Sequence, residues 1–408
     1  MSAFLILLSC VLFDAVRVDA VPFDTGVVPA LLDGGESAWQ RLRDEDTPPE
    51  HDIETLADLA DKLARRVPRQ FLKENIADSR PPQQGEAVRL EGRVIAVTKY
   101  AGRVPVYRCR IVLNHDIFPR GKHSGKQDEN EAEIFTPSIP QSWTCGVPMQ
   151  ESAAAFGIYI KSYNGTPIFI APALEWYPDT WLGNLGFNVA AFDQVPVSRV
   201  TEWEEQDEET NRLMFKFTEA DVEPFYGLLR AVSAMPEGWM ENEAKKRQTE
   251  EPMSVTDLFN RPGETRGKPV LLRGTAKRIV PTPVMDSAVQ SLFGIDHYYQ
   301  VFLFTEGAQG NPIVVCLHSL PEGMPTGDSS GFSEEITVAA IPYKLWIYET
   351  GLQPHYAPLL IGRSLTWHPK VPGARHVPEG FAALSLTAFC MLAILWFACR
   401  FWARRSMP

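Results

Sequence analysis

Much of this 408-residue chain is written twice. Gly85-Glu86-Ala87-Val88-Arg89-Leu90-Glu91-Gly92 returns as Gly267-Lys268-Pro269-Val270-Leu271-Leu272-Arg273-Gly274, in a shared G-x-x-V-x-L-x-G frame. Tyr107-Arg108-Cys109-Arg110-Ile111 answers to Tyr299-Gln300-Val301-Phe302-Leu303. Both copies close on a tryptophan just before a proline, Leu174-Glu175-Trp176-Tyr177-Pro178 and Leu365-Thr366-Trp367-His368-Pro369. Self-similarity at a fixed offset is the mark of duplicated modules. A chain built this way has to fold as two similar units. A single active site would then have to come from residues that the copies do not share.

The content of each copy predicts its elements. Val88, Leu90 and Val94 alternate with Arg89, Glu91 and Arg93, the period of a strand with one wet face. Gly92 and Gly274 interrupt that strand at the same place, where a bulge or sharp bend is expected. Five strands follow from such patterns in each copy, at 87–97, 104–113, 132–136, 153–162 and 168–177, and again at 269–280, 298–305, 313–318, 337–348 and 358–367. Asn164-Gly165 is a tight hairpin turn between the last two strands of the first copy. Residues 53–63 carry apolar side chains at i, i+3, i+6 and i+10, an amphipathic helix closed by Pro68; residues 221–232 form its counterpart, closed by Pro236. The expected fold class is α+β, mainly β, with two tandem helix-plus-five-strand modules.

Five short strands opening on a glycine-bent first strand resemble the OB-fold, a small Greek-key barrel. The resemblance covers about half the chain and implies two OB-like barrels. The segments Pro137-Ser138-Ile139-Pro140 and Leu320-Pro321-Glu322-Gly323 read as loops where an OB-fold usually places a helix. The anchored, duplicated layout is also similar to membrane-anchored envelope proteins of planctomycete-type bacteria, a likeness that implies no activity.

The two ends bear on location. Residues 380–399 carry no charge and match the hydrocarbon thickness of a bilayer as a helix. Arg400, Arg404 and Arg405 follow, with Trp396 and Trp402 at interfacial positions, so the positive-inside rule places the tail 400–408 in the cytoplasm and the bulk across the membrane. Residues 3–13 are apolar but too short to span, which makes 1–20 a signal peptide or an N-terminal anchor. Leu7-Leu8-Ser9-Cys10 also resembles a bacterial lipobox. The expected order is then a linker at 21–50, the first helix-plus-barrel module at 51–178, an acidic linker at 179–218, the second module at 219–369, a short linker at 370–379, and the transmembrane helix at 380–399.

The formal net charge of −12 is unevenly spread. Residues 179–266 hold 9 basic against 18 acidic side chains, whereas 85–178 hold 10 against 9. The run Thr201-Glu202-Trp203-Glu204-Glu205-Gln206-Asp207-Glu208-Glu209 lacks the glycine turn of an EF-hand and reads as a solvated loop. Near-neutral modules in an acidic chain argue against nucleic acid as a partner. Cys109, Cys145 and Cys316 form no C-x-x-C pair; an oxidising compartment could join Cys109 to Cys145, and Cys316 reads as a buried thiol.

Motifs for chemistry are sparse. A phosphate loop of G-x-x-x-x-G-K-S/T form would need glycine where Arg120 stands and Ser or Thr where Gln127 stands. The same loop is basic and glycine-rich, so His115, Asp116, Arg120, Lys122, His123 and Lys126 form a candidate ligand or partner loop. The spacing of His115, Asp116 and His123 has no metal-site logic, and His297 and His318 lie on separate strands. There is no G-x-S-x-G elbow. Duplication, an anchor and the lack of a catalytic constellation predict an extracytoplasmic interaction or scaffold protein. It would take envelope or membrane proteins as partners, bind no cofactor and catalyse no reaction. The alternative is an enzyme, or a ligand or metal carrier, whose site lies between the modules and is built from loops that break the repeat, notably 115–126 and 281–296.

Overall fold

A computed structural model of the chain describes residues 27–77, 81–115, 130–196, 217–350 and 353–369. The first copy of the repeat folds into β1 (Ala87–Tyr100), β2 (Val106–Leu113), β3 (Glu131–Thr136), β4 (Glu151–Tyr163), β5 (Thr166–Ile170) and β6 (Glu175–Trp176). The second gives β7 (Val270–Pro283), β8 (His297–Phe304), β9 (Ile313–Leu317), β10 (Glu334–Thr350), β11 (Gln353–Gly362) and β12 (Leu365–His368). In the first sheet the order is β1-β2-β3-β5-β4-β6, and β1 also pairs with β4, so five strands close into a ring. The second sheet repeats this order, closed by β10 on both β7 and β11. Within the rings only β3–β5 and β9–β11 run parallel.

A strand that serves two neighbours has to cross from one to the other. The first half of β1 pairs with β4 and its second half with β2, and Gly92 lies where the two pairings overlap. A Cβ on Gly92 would stand 2.2 Å from the carbonyl oxygen of Val112, and one on Gly274 would stand 2.2 Å from that of Phe304. Only glycine lets the backbones approach this closely. The register of β1 also slips between Val94 and Ala96, and that of β7 between Ala276 and Arg278, so both first strands carry a bulge two residues past the glycine.

Each module has two cores. Val88, Leu90, Val94, Ile111 and Ile134 fill the first barrel, while Phe135, Phe156, Ile158, Ile168 and Ile170 pack outward under helices. The split is clearest in β9: Ile313, Val315 and Leu317 point into the second barrel, and Val314 and Cys316 point out. A strand buried on both faces reads as a continuous apolar run, not an alternating one. The covering helices are α1 (Val27–Leu31), α2 (Gly35–Leu42), α3 (Ile53–Arg66) and α4 (Arg69–Glu74) in the first module. In the second they are α5 (Trp181–Asn184), α6 (Glu219–Ser233), α7 (Trp239–Glu250), α8 (Val255–Asn260), α9 (Pro262–Thr265) and α10 (Ser287–Phe293). Leu56, Leu59 and Leu63 of α3 face β3 and β5; Phe225, Leu228 and Val232 of α6 face β11 and its neighbours.

Several segments differ from the sequence expectation. Residues 27–50, expected within a linker, form α1, α2 and, with His51, a short 3-10 turn, and bury Val28, Trp39 and Leu42 in the outer core of the first module. Residues 179–196, expected within an acidic linker, pack Leu182, Phe187, Phe192 and Val195 on the second module. Arg266 fastens that stretch by donating to the carbonyls of Phe192 (2.9 Å), Val195 (3.1 Å), Pro196 (3.1 Å) and Tyr343 (2.8 Å). The acidic charge of the expected linker lies further along, at 201–209; within 179–196 only Asp179 and Asp193 are charged, and the large apolar side chains decide the packing. The fifth strand of each copy is split, because a short β6 or β12 turns back to the start of β4 or β10. Trp176 Nε1 donates to Glu151 Oε2 and Trp367 Nε1 to Glu334 Oε2, each at 2.8 Å, which explains the tryptophan shared by both closes. Residues 137–140 and 320–323 are loops, as expected.

The signal peptide or N-terminal anchor at 1–20, the acidic run 201–209, and the apolar segment 380–399 with its tail lie outside the described residues. Among the described residues no helix is long and apolar enough to cross a membrane.

Candidate functional site

Of the six residues in the candidate loop, His115 is exposed just past the end of β2. Asp116, Arg120, Lys122, His123 and Lys126 lie outside the described residues. The other non-repeated loop is ordered by its own module. Asp286 Oδ1 accepts from the amides of Ala288 (2.8 Å) and Val289 (3.3 Å), starting α10. Phe293 then stacks near Tyr226 of α6 at 6.0 Å between ring centroids. His297 opens β8, and His318 lies one residue past the end of β9, which pairs with β8. Burial, with His297 and Arg363 nearby, holds His318 below the ordinary imidazole range. Among the described residues no three His, Cys, Asp or Glu side chains converge as a metal site would need. Cys109 and Cys145 are both free thiols, and Cys316 is free and buried.

The polar groups that do converge form a seam between the modules. Arg69 of α4 donates through Nη2 to Glu175 Oε1 (3.0 Å) on β6, and through Nη1 to Glu223 Oε2 (2.9 Å) on α6. Tyr177 OH donates to Glu175 Oε2 (2.8 Å), and Arg89 approaches the same oxygen at 3.7 Å. Lys73 lies 3.8 Å from Glu223. Glu175 is 3% exposed, so its charge is matched by fixed donors instead of water. Burial and the Glu175 carboxylate push the Tyr177 phenol well above its ordinary value, which keeps it a hydrogen-bond donor. Glu175 occupies the place of Thr366 in the second close, so this seam is written with a residue the repeat does not share. That departure was the available sequence signal.

A second constellation is repeated. In β4 the register slips between Tyr159 and Lys161, and in β10 between Pro342 and Lys344. Ile158 and Ile160 both face the outer core, so simple alternation would point Lys161 into the barrel. The bulge turns it outward instead. Its Nζ donates to the carbonyls of Asp44 and Thr47, each at 2.9 Å, and lies 3.4 Å from Asp52 Oδ2 at the start of α3. Lys344 Nζ in turn reaches Asp221 Oδ1 (3.0 Å) and Oδ2 (3.1 Å) in the first turn of α6. Tyr343 OH donates to the same carboxylate at 3.0 Å, and Thr218 donates its amide and hydroxyl at 2.8 and 2.9 Å. Burial pulls Lys344 below the ordinary lysine range and pushes Tyr343 above that of a phenol. In both modules, then, a lysine re-aimed by a bulge fastens the leading helix to the barrel. These groups are closed off, with Asp221 fully buried and Lys344 4% exposed, and are placed to hold structure rather than to meet a substrate.

An open feature lies on the second module. Residues of α7 and α8 and the start of β7 line a cleft of about 100 Å³, with Arg247 on one wall and Val255 and Leu258 on another. Comparison of the sequence with protein-family models finds no match, and comparison with curated proteins finds none either.

Proposed function

We propose that this chain is a membrane-anchored extracytoplasmic scaffold that presents two OB-like barrels in one fixed arrangement to envelope or membrane proteins. The observation that carries the reading is the seam: one guanidinium, Arg69, bridges a buried carboxylate of the first barrel and a carboxylate on the leading helix of the second. An ion cluster shared around one buried carboxylate, Glu175, holds modules in a set orientation, which a display surface needs. Both modules also fall within one compact unit that runs to Trp367. The five-strand ring order with β1 closing on β4 supports the OB-like description.

Many OB-folds take nucleic acid on the face of their second and third strands. Here the basic side chains on that face of the first barrel lie against carboxylates, Arg108 meeting Glu50 (2.6 Å), Glu133 (2.5 Å) and Tyr100 and Arg110 standing 3.9 Å from Glu131, which supports a protein partner over a polyanion. The alternative, an enzyme or carrier with a site between the modules, has to use a seam whose described part is filled by Arg69, Glu175 and Glu223. The anchor rests on the uncharged run 380–399 and the arginines after it. Alkaline-phosphatase fusions at Pro369 are expected to be active. An inactive fusion there, with an active one after Pro408, overturns the topology.

A further inference from the structure

The geometry points to the outer edge of β7 at Leu271 as a docking site for an extended segment of a partner protein, one that carries an apolar side chain and a carboxylate. The proposal deepens the scaffold reading and rests on it. Val270, Leu271 and Leu272 pair with Ala340, Ala339 and Val338 of β10, whereas β8 joins β7 only from Thr275 onward. Among the described residues, one edge of residues 269–272 therefore has no strand beside it.

The first module shows what such an edge takes. By the offset of Gly85 to Gly267, Ala87 corresponds to Pro269. Ala87 is bridged in parallel by Ile76, and the amide of Ala77 donates to the Ala87 carbonyl at 2.9 Å. The chain thus supplies its own extended residues to the edge of the first barrel. Carried over in phase, the carbonyl of Pro269 and both backbone groups of Leu271 face the matching edge of the second barrel. There the chain ahead of β7 folds into α8 and α9, and the cleft of about 100 Å³ stands beside the edge. What the first module provides in cis, the second is built to receive in trans, by strand addition.

The walls set the chemistry of the visitor. Met253, Val255 and Leu258 offer an apolar floor to one side chain. Arg247 Nε is buried and has no hydrogen-bond partner among the described residues, while Nη1 is held by Glu251 at 3.0 Å. Lys268 also lies on Glu251, at 3.1 Å, so two cations share one carboxylate and a second carboxylate is complementary. A buried unmatched guanidinium nitrogen is the kind of group that a ligand carboxylate satisfies.

The test pans the full chain, in detergent micelles, against random short peptides. Selected peptides are expected to share an apolar residue with a nearby Asp or Glu, and to slow hydrogen exchange at the Leu271 amide. Their affinity should fall at least about tenfold in Arg247→Met and in Leu271→Pro, the second of which removes an outward amide. Selection without that pattern, or affinity unchanged in both variants, overturns the proposal. Equal competition by acetate alone also overturns it, since that marks a simple anion site. Photo-cross-linking in intact cells separates the two readings. Wild-type adducts that persist in both variants leave the scaffold standing and sink the cleft; a wild type with no specific adducts sinks the scaffold itself.

Discussion

Replacing Asp221 by Asn tests the buried anchor of the second module. The carboxylate meets Lys344 Nζ through both oxygens at 3.0 and 3.1 Å, with side-chain exposures of 1% for the lysine and 0% for the aspartate. Asn keeps the shape but leaves a buried ammonium without its counter-charge, a change that costs about 3–5 kcal/mol. Lys344→Met leaves a carboxylate that still accepts from Thr218 and Tyr343, so its cost should be smaller, about 1–3 kcal/mol. In the double variant both charges are gone, and the cycle should show a coupling of roughly 2–3 kcal/mol. Hydrogen exchange of the α6 and β10 amides is the suitable assay, because it reads the local unit whether or not the modules unfold together.

The pH dependence carries a sign. Burial depresses Lys344 from its ordinary 10.5, so between its folded-state value and 10.5 the unfolded chain binds more protons and stability rises with pH. Removing the Asp221 charge depresses the lysine further, so in Asp221→Asn the rise should begin at lower pH than in the wild type. Tyr343 is shifted up, so above about pH 10 it acts in the opposite direction, and the comparison belongs below that. Additive single and double variants, or an Asp221→Asn cost under about 0.5 kcal/mol, would refute the reasoning.

Three further outcomes are expected. Gly274→Ala puts a Cβ 2.2 Å from Phe304 O, so β7 and β8 have to part; a loss of about 1–3 kcal/mol should appear in exchange at β8, and Gly92→Ala should do the same at β2. Glu175→Gln removes the charge shared by Arg69, Arg89 and Tyr177, and should speed exchange in α4 while leaving the amides of β8 and β9 unchanged; no change in α4 would count against the seam. Burial pushes the Cys109 and Cys316 thiols well above the ordinary range, so neither should react with iodoacetamide at about pH 8 until the chain is unfolded, as mass spectrometry of the labelled peptides would show.

Sequence and structure divide the account of this protein in a definite way. Strands and leading helices were legible because their signals are local: a period of two in Val88, Leu90 and Val94, a period near 3.6 in Leu56, Leu59 and Leu63, and a glycine at one place in both copies. The duplication was legible for the same reason, since it needs only the chain compared with itself. The two-faced burial of β9 shows in the continuous apolar run Ile313 to Leu317, but what covers its outer face does not, because an apolar run names no partner. Residues 27–50 look like a linker because Pro, Gly and acidic residues outnumber the side chains, Trp39 among them, that do the packing; 179–196 reads with the acidic run that follows it, although half of its residues, Phe192 among them, are apolar. The lysines at 161 and 344 stand at one point of the repeat, yet their outward aim depends on a bulge, and a bulge is a property of strand pairing. The seam through Arg69, Glu175 and Glu223 joins residues up to 154 positions apart. The sequence by itself determined what repeats: two five-strand modules, their bent first strands and their helices. Only the tertiary structure decided what joins and distinguishes them, because a salt bridge, a closed ring and an open strand edge exist only where distant segments meet in space.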